Sequence, residues 1–102
     1  MITILLQAGA DLKARDNKDG MTALIIAAGV NPNPEVITTL LTAGADVNAR
    51  SSADEVTALM YAAYNNPNPL VLATLLKAGA DVNAREKKGG ETALILAAAS
   101  SE

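Results

Sequence analysis

Apolar residues in this chain group into short stretches separated by polar segments rich in glycine, proline and asparagine. After Thr22, the residues Leu24, Ala27 and Ala28 follow the i, i+3, i+4 spacing of one helix face. This pattern predicts a short helix over residues 22–28. Thr22 suits its N-terminus, because a threonine hydroxyl can accept a hydrogen bond from an unpaired backbone N–H of the first turn.

A second helix is predicted after the segment Asn31-Pro32-Asn33-Pro34. Residues that precede proline are pushed out of the α region, so this segment predicts a loop. Asn33 suits the N-cap and Pro34 the first helical position, where its missing N–H costs nothing. The apolar residues of 36–41 form the helix, and Gly44 predicts a left-handed residue at its end.

Two sequence strings recur along the chain with the same period of 35 residues. One is Leu-Leu-x-Ala-Gly-Ala-Asp and the other is Thr-Ala-Leu. A shared period predicts structural repeats, each built from two short helices and a polar connection. The strings begin at Leu5, Leu40 and Leu75 and at Thr22, Thr57 and Thr92, respectively.

These residues resemble the ankyrin repeat. The family pattern is roughly D-x-x-G-x-T-P-L-H-x-A-A, then a loop, then L-L-x-x-G-A-D-V-N-A, and residues 16–28 and 40–49 follow it closely. The resemblance implies an all-α repeat solenoid of ankyrin-type helix-turn-helix repeats joined by hairpin loops. This chain departs from the family in its period, which is usually 33 residues. It also replaces the usual Pro and His, for example by Ala23 and Ile25.

The 35-residue register divides residues 1–102 into a single array. Residues 1–13 are predicted to be the second helix of an incomplete repeat. Residues 14–48 and 49–83 are predicted to be full repeats. Residues 84–102 are predicted to hold the hairpin and first helix of another incomplete repeat.

Composition excludes several kinds of chemistry. The chain has no His and no Cys, which excludes thiol and imidazole catalysis and the usual structural zinc sites. Its net charge of −3 and its two aromatic residues, both Tyr, argue against nucleic-acid binding. No apolar run is long enough to span a membrane, and no signal peptide is evident. We therefore expect a soluble protein without nucleic-acid or membrane partners, cytoplasmic by default.

Paired carboxylates are the remaining candidates for catalysis or metal binding. Asp16 with Asp19, and Asp54 with Glu55, fall on predicted hairpin tips, where we expect nothing to desolvate them or shift their pKa. Neither a phosphate-binding loop nor a calcium loop is present. The sequence therefore predicts a protein that is not an enzyme and needs no metal or cofactor.

The resemblance implies that partner proteins bind at the hairpin tips and at the exposed ends of the first helices. Gly29 and Val30 occupy such a helix end, and Tyr64 is the best single anchor, although packing within the helix pair is an alternative for it. Tyr61 is interpreted as structural. The candidate contacts at hairpin tips and at the next helix end are Met21, Val56, Glu91, Tyr64 and Asn65.

Arg15, Arg50 and Arg85 share one register position and should form a ladder on one face. Because arginine presents a planar fork of donors, this ladder could receive partner carboxylates. Two structural alternatives stay open. The arginines could balance the charges of Asp11, Asp46 and Asp81, or they could hydrogen-bond to neighbouring hairpins.

Both ends of the array are apolar, whereas solenoid ends normally carry polar caps. The chain ends with the first helix of one incomplete repeat and begins with the second helix of another. We hypothesise that the C-terminal helix of one molecule packs on the N-terminal helix of the next. Such head-to-tail packing would give a filament. A longer array that covers both ends, or a monomer with frayed ends, are the alternatives. The sequence thus predicts a non-catalytic protein-interaction scaffold, or instead a self-assembling structural subunit. The residues assigned to self-assembly are Ile2, Ile4, Leu5, Leu94, Ile95 and Ala98.

Overall fold

The computed structural model describes residues 2–99, with only the backbone of Thr3. Those residues form six helices and, between them, turns and loops without a strand. The helices are α1 (Ile2–Gln7), α2 (Ala23–Val30), α3 (Pro34–Thr42), α4 (Ala58–Asn65), α5 (Pro69–Lys77) and α6 (Ala93–Ala99). Of these, α2, α4 and α6 are the first helices of repeats, and α1, α3 and α5 are the second helices.

The first helices begin at threonine caps, as the sequence predicts. The hydroxyl oxygen of Thr22 accepts a hydrogen bond from the backbone N–H of Ile25 at 3.3 Å. The prediction that the first of these helices ends at residue 28 is wrong by two residues. The N–H of Asn31 still donates to the carbonyl of Ala27 at 2.9 Å, so α2 continues to Val30.

The second helices also begin and end where local signals predict. The side-chain oxygen of Asn33 accepts a hydrogen bond from the Glu35 N–H at 3.0 Å, and Pro34 is the first helical residue. After α3, Gly44 has a φ of 108°, a left-handed conformation that glycine adopts without strain.

The helices form two layers. First helices pack on first helices in the order α2–α4–α6, second helices pack in the order α1–α3–α5, and each full repeat pairs the two layers. The core between them is aliphatic and small, and Ala28 and Ala62 are fully buried. Side chains of this size let neighbouring helices approach closely. The buried cluster comprises Leu24, Ile25, Ala28, Ile37, Leu40, Ala58, Leu59, Ala62, Val71, Leu75 and Ala93.

A tight hairpin turn precedes each first helix. In the middle repeat, the Ser51 N–H donates to the carbonyl of Val56 at 2.9 Å. Successive hairpins are also joined, because the Ser52 N–H donates to the carbonyl of Gly20 at 3.2 Å and the Lys87 N–H donates to the carbonyl of Asp54 at 2.8 Å. Of the array predicted over residues 1–102, Met1 and residues 100–102 lie outside the described residues.

Candidate functional site

Apolar side chains are exposed on the outer face of two adjacent first helices. Ile26 and Val30 lie on α2, and Tyr61 and Tyr64 occupy the matching face of α4. Val30 is 58% exposed and Tyr64 is 54% exposed, while Tyr61 is half-buried. We call these four residues the first-helix patch. Exposed apolar side chains grouped on neighbouring helices are typical of interaction sites.

Gly29 fixes the position of the Tyr61 ring within the patch. A Cβ atom at residue 29 would lie only 2.3 Å from Cδ2 of Tyr61, so the ring occupies the space that any other residue's side chain would need. Tyr61 therefore packs against α2 at Gly29 and contributes to the core from its inner side, in agreement with its structural interpretation. Its outer side adds to the patch, a contribution that the sequence did not indicate.

Asparagine side chains at the end of α4 hydrogen-bond to the backbone at the end of α2. Nδ2 of Asn65 donates to the carbonyl of Gly29 at 2.9 Å. Nδ2 of Asn66 donates to the carbonyls of Ala28 at 2.8 Å and of Asn31 at 2.9 Å. These bonds satisfy carbonyl groups that a helix end leaves unpaired, and they hold the patch rigidly. Asn65, predicted as a partner contact, thus has its amide committed to this junction.

The three arginines lie in one row, and their guanidinium groups bind backbone carbonyls. Nη1 of Arg15 donates to the carbonyl of Gly20 at 2.7 Å and also to the carbonyl of Arg50. Nη1 of Arg50 donates to the carbonyl of Arg85 at 2.7 Å. Nη1 of Arg85 donates to the carbonyl of Gly90 at 2.9 Å in its own hairpin. The structural alternative of bonding to neighbouring hairpins therefore describes Arg15 and Arg50, whereas the bond of Arg85 lies within its own hairpin.

The aspartates that follow the second helices serve their own turns. Oδ1 of Asp46 accepts a hydrogen bond from the Asn48 N–H at 2.9 Å, and the corresponding oxygen of Asp81 accepts one from the Asn83 N–H at 2.9 Å. Each carboxylate thereby orders the chain that leaves the helix.

Side chains at the start of the hairpins close the turns. Oδ1 of Asp16 accepts hydrogen bonds from the N–H groups of Met21 and Asp19, both at 3.1 Å. These bonds, with that of Met21 first, lower the pKa of Asp16. The expectation of no pKa shift at these carboxylate pairs is therefore wrong for Asp16. A lowered pKa keeps the carboxylate ionised, which disfavours a role as a general acid.

The predicted contacts on the hairpins are less accessible than Tyr64. Met21, Val56 and Glu91 are all half-buried, and their backbone groups close the hairpin turns. The structure therefore places them at the edge of the hairpin row, between the tips and the first helices. Only their outer portions are available to a partner.

The two ends of the described array expose the apolar residues assigned to self-assembly. Leu5 is 53% exposed on α1, and Leu94 is 77% exposed on α6. Ile4, Ile95 and Ala98 are also exposed, whereas Ile2 is half-buried. A groove of 240 Å³ lies beside Leu94 and is lined almost wholly by apolar atoms, including those of Leu59, Leu72, Leu76 and Val82.

Within residues 2–99, no group of three or more acidic side chains is close enough to hold a metal ion. No helix among these residues is long and apolar enough to cross a membrane.

A family model described as "Ankyrin repeats (3 copies)" matches residues 1–86 and, in a second alignment, residues 31–102. The two matches together span the whole sequence. No curated protein matches the chain.

Proposed function

The chain belongs to the ankyrin repeat family, and we propose that it acts as a non-catalytic scaffold that binds a partner protein through the first-helix patch. The family and the all-α solenoid predicted from the sequence are confirmed. Ankyrin repeats generally mediate protein–protein interactions, and such domains are typically non-catalytic modules. The finer question is which surface of this chain binds.

The observation that carries the proposal is the exposure of large apolar side chains on a rigid surface. Val30 and Tyr64 are each more than half exposed, although both belong to helices whose inner faces are fully packed. The amides of Asn65 and Asn66 hold the two helices in place, so the patch needs little ordering when a partner docks. Tyrosine is also among the residues that dominate binding energy in protein interfaces.

We propose that the arginine row adds polar contacts to those of the first-helix patch. Each guanidinium has five N–H donors, and the hairpin carbonyls described above use only Nη1. We propose that the remaining donors of Arg15, Arg50 and Arg85 face carboxylates of the partner. Met21, Val56 and Glu91 on the hairpins, and Asn65 at the end of α4, would contribute further contacts.

The test compares partner recovery by matched single variants. Tyr64→Ala should reduce recovery of the bound protein by at least about tenfold, because a central aromatic anchor is typically worth about 2 kcal/mol or more. Arg50→Ala should reduce it less. Leu70→Ala is the control, since Leu70 is 61% exposed but lies on α5 in the other layer. Equal recovery by Tyr64→Ala and Leu70→Ala would reject the first-helix patch.

A second candidate function, head-to-tail self-assembly, is favoured by the groove beside Leu94. Most of the residues 35 positions before those that line the groove are buried in the core together with Val71 and Leu75 of α5, and the other two, Leu41 and Val47, are half-buried against it. Leu5 of α1 has the same register position as Leu75 and is exposed. We propose that α1 of a second molecule occupies the groove of the first as α5 occupies the equivalent position within the chain.

Complementary end variants test this second candidate. Leu5→Asp places a charge on the apolar face of α1 and leaves the groove intact. Leu94→Asp places a charge in the groove and leaves α1 intact. Because both side chains are exposed, both variants should fold. Each variant alone should sediment as a monomer, and an equimolar mixture should form a one-to-one dimer. The wild-type protein should grow in mass with concentration, and a mixture that stays monomeric at high concentration would reject self-assembly.

A further inference from the structure

The turn that follows α3 is joined to the turn that follows α5 by one asparagine carboxamide. Nδ2 of Asn48 donates to the carbonyl of Gly79 at 3.3 Å. Oδ1 of the same side chain accepts a hydrogen bond from the Asp81 N–H at 2.9 Å. An asparagine side chain therefore bridges a backbone acceptor and a backbone donor that lie two residues apart in the next repeat.

At the junction one repeat earlier, the turn that would receive the side chain has the same hydrogen bonds, but a different side chain stands opposite it. Lys13 occupies the register position of Asn48, and Gly44 and Asp46 occupy those of Gly79 and Asp81. Lysine has donors only and cannot accept a hydrogen bond from the Asp46 N–H. Among the hydrogen bonds of residues 2–99, none has that N–H as its donor.

An open cleft lies at this junction. It has a volume of 610 Å³ and is lined by both turns, with Lys13 on one side and Gly44 and Asp46 on the other. Leu12 and Ala45 supply apolar walls next to these polar groups. The residues that line the cleft thus carry a backbone donor, a backbone acceptor and apolar surface, and the donor and acceptor belong to the register positions that bind Asn48 in the following repeat.

We propose that this cleft binds a carboxamide side chain, Asn or Gln, presented by a partner protein. The carboxamide oxygen accepts a hydrogen bond from the Asp46 N–H, and its NH₂ group donates to the carbonyl of Gly44. The pairing reproduces the one that Asn48 makes with Asp81 and Gly79. The cleft shares no residue with the four residues of the first-helix patch, although Arg15, assigned above to partner carboxylates, also lines it.

A titration followed by amide NMR tests the proposal. The probe is N-acetyl-asparagine methylamide at about 50 mM, a concentration suited to a weak two-bond contact. The control is N-acetyl-leucine methylamide, which has a side chain of similar shape and the same backbone amides. The Asp46 N–H resonance should shift saturably with the asparagine probe and at least about fivefold less with the leucine probe.

Two variants at residue 13 complete the test. Lys13→Asn supplies an internal carboxamide, so it should slow hydrogen exchange at the Asp46 N–H and abolish the probe-induced shift. Lys13→Ala should retain that shift, because the donor and acceptor stay open. Equal shifts with both probes, no shift with the asparagine probe, or an undiminished shift in Lys13→Asn would each overturn the proposal.

Discussion

The middle of this array and its two ends use the same residues at equivalent positions, yet those residues lie in different environments. Leu59 is 2% exposed in α4, whereas its equivalent Leu94 is 77% exposed in α6. Leu75 is fully buried in α5, whereas Leu5 in α1 is 53% exposed. Burial in a solenoid therefore depends on the neighbouring repeat and not on the residue alone, as expected for a structure with nearest-neighbour contacts.

The largest expected effect on stability comes from truncating leucines at equivalent positions in the middle and at one end. Leu75→Ala should lower the free energy of unfolding by about 3 kcal/mol, because it opens a cavity in a packed core. Leu5→Ala should lower it by less than about 1 kcal/mol, since the leucine is already half in water. Urea unfolding at low protein concentration measures both values. Similar losses at the two positions would contradict the proposed difference between middle and ends.

Replacing Gly29, which packs against the Tyr61 ring, should have the next largest effect on the free energy of unfolding. Gly29→Ala introduces a Cβ where the ring lies, and we expect a loss of about 1–3 kcal/mol from overpacking despite the better helix propensity of alanine. In a Tyr61→Ala background the same change should be neutral or stabilising. A double-mutant cycle by chemical unfolding provides the coupling energy. Zero coupling would show that the ring does not depend on Gly29.

Local signals made much of the fold predictable. The caps at Thr22 and Asn33 and the left-handed Gly44 depend only on nearby residues, and all three are confirmed. The bridges made by Asn66 depend on a contact between residues 35 or more positions apart, which no local pattern encodes. The recurrence of asparagine at positions 31 and 66 is the one signal that could have indicated them.

The candidate site was predictable only in part. Tyr64 stood out because a large aromatic residue occupied a surface register position. The contribution of Tyr61 was missed because it depends on the absence of a side chain at Gly29 in another repeat. The roles of Arg15 and Arg50 also stayed open, since each has one of its two acceptors in the following hairpin.

A smaller effect is expected where the middle hairpin differs from its neighbours. Glu55 has a φ of 57°, while glycines, Gly20 and Gly90, occupy the equivalent positions. Glu55→Gly should raise the free energy of unfolding by about 0.5–1 kcal/mol, because the left-handed conformation strains a residue with a Cβ. Gly90→Glu should lower stability by a similar amount, since no atom lies within 4 Å of an added Cβ there. Thermal unfolding measures both, and a destabilised Glu55→Gly would refute the assignment of strain.

The smallest effect concerns acid stability, which should arise in the outer hairpins and not in the middle one. Backbone N–H groups, chiefly those of Met21 and Glu91, lower the pKa of Asp16 and of Glu86 below their ordinary values of 3.8 and 4.5. The unfolded state therefore binds these protons at higher pH than the folded state does. Their contribution to stability is complete above pH 4.5 and is lost as the pH falls through the lowered pKa values.

Variants of the hairpin side chains isolate this contribution. Asp16→Asn combined with Glu86→Gln should flatten the decrease in unfolding free energy below pH 4.5. Ser51→Ala, at the equivalent position of the middle hairpin, should lower stability equally at every pH because its hydroxyl does not titrate in this range. The measurement is urea unfolding across the pH series. If the double variant lost stability at low pH as steeply as the wild type, Asp16 and Glu86 would not be the source of the pH dependence.

Site-specific photo-crosslinking tests the proposed function most directly. The photoreactive residue benzoylphenylalanine is placed at position 64 in the first-helix patch or at position 70 on the opposite layer, two positions with exposures of 54% and 61%. We predict a covalent adduct with the partner protein from position 64 and none from position 70. Equal adducts from both positions, or adducts from position 70 alone, would contradict binding through the first-helix patch.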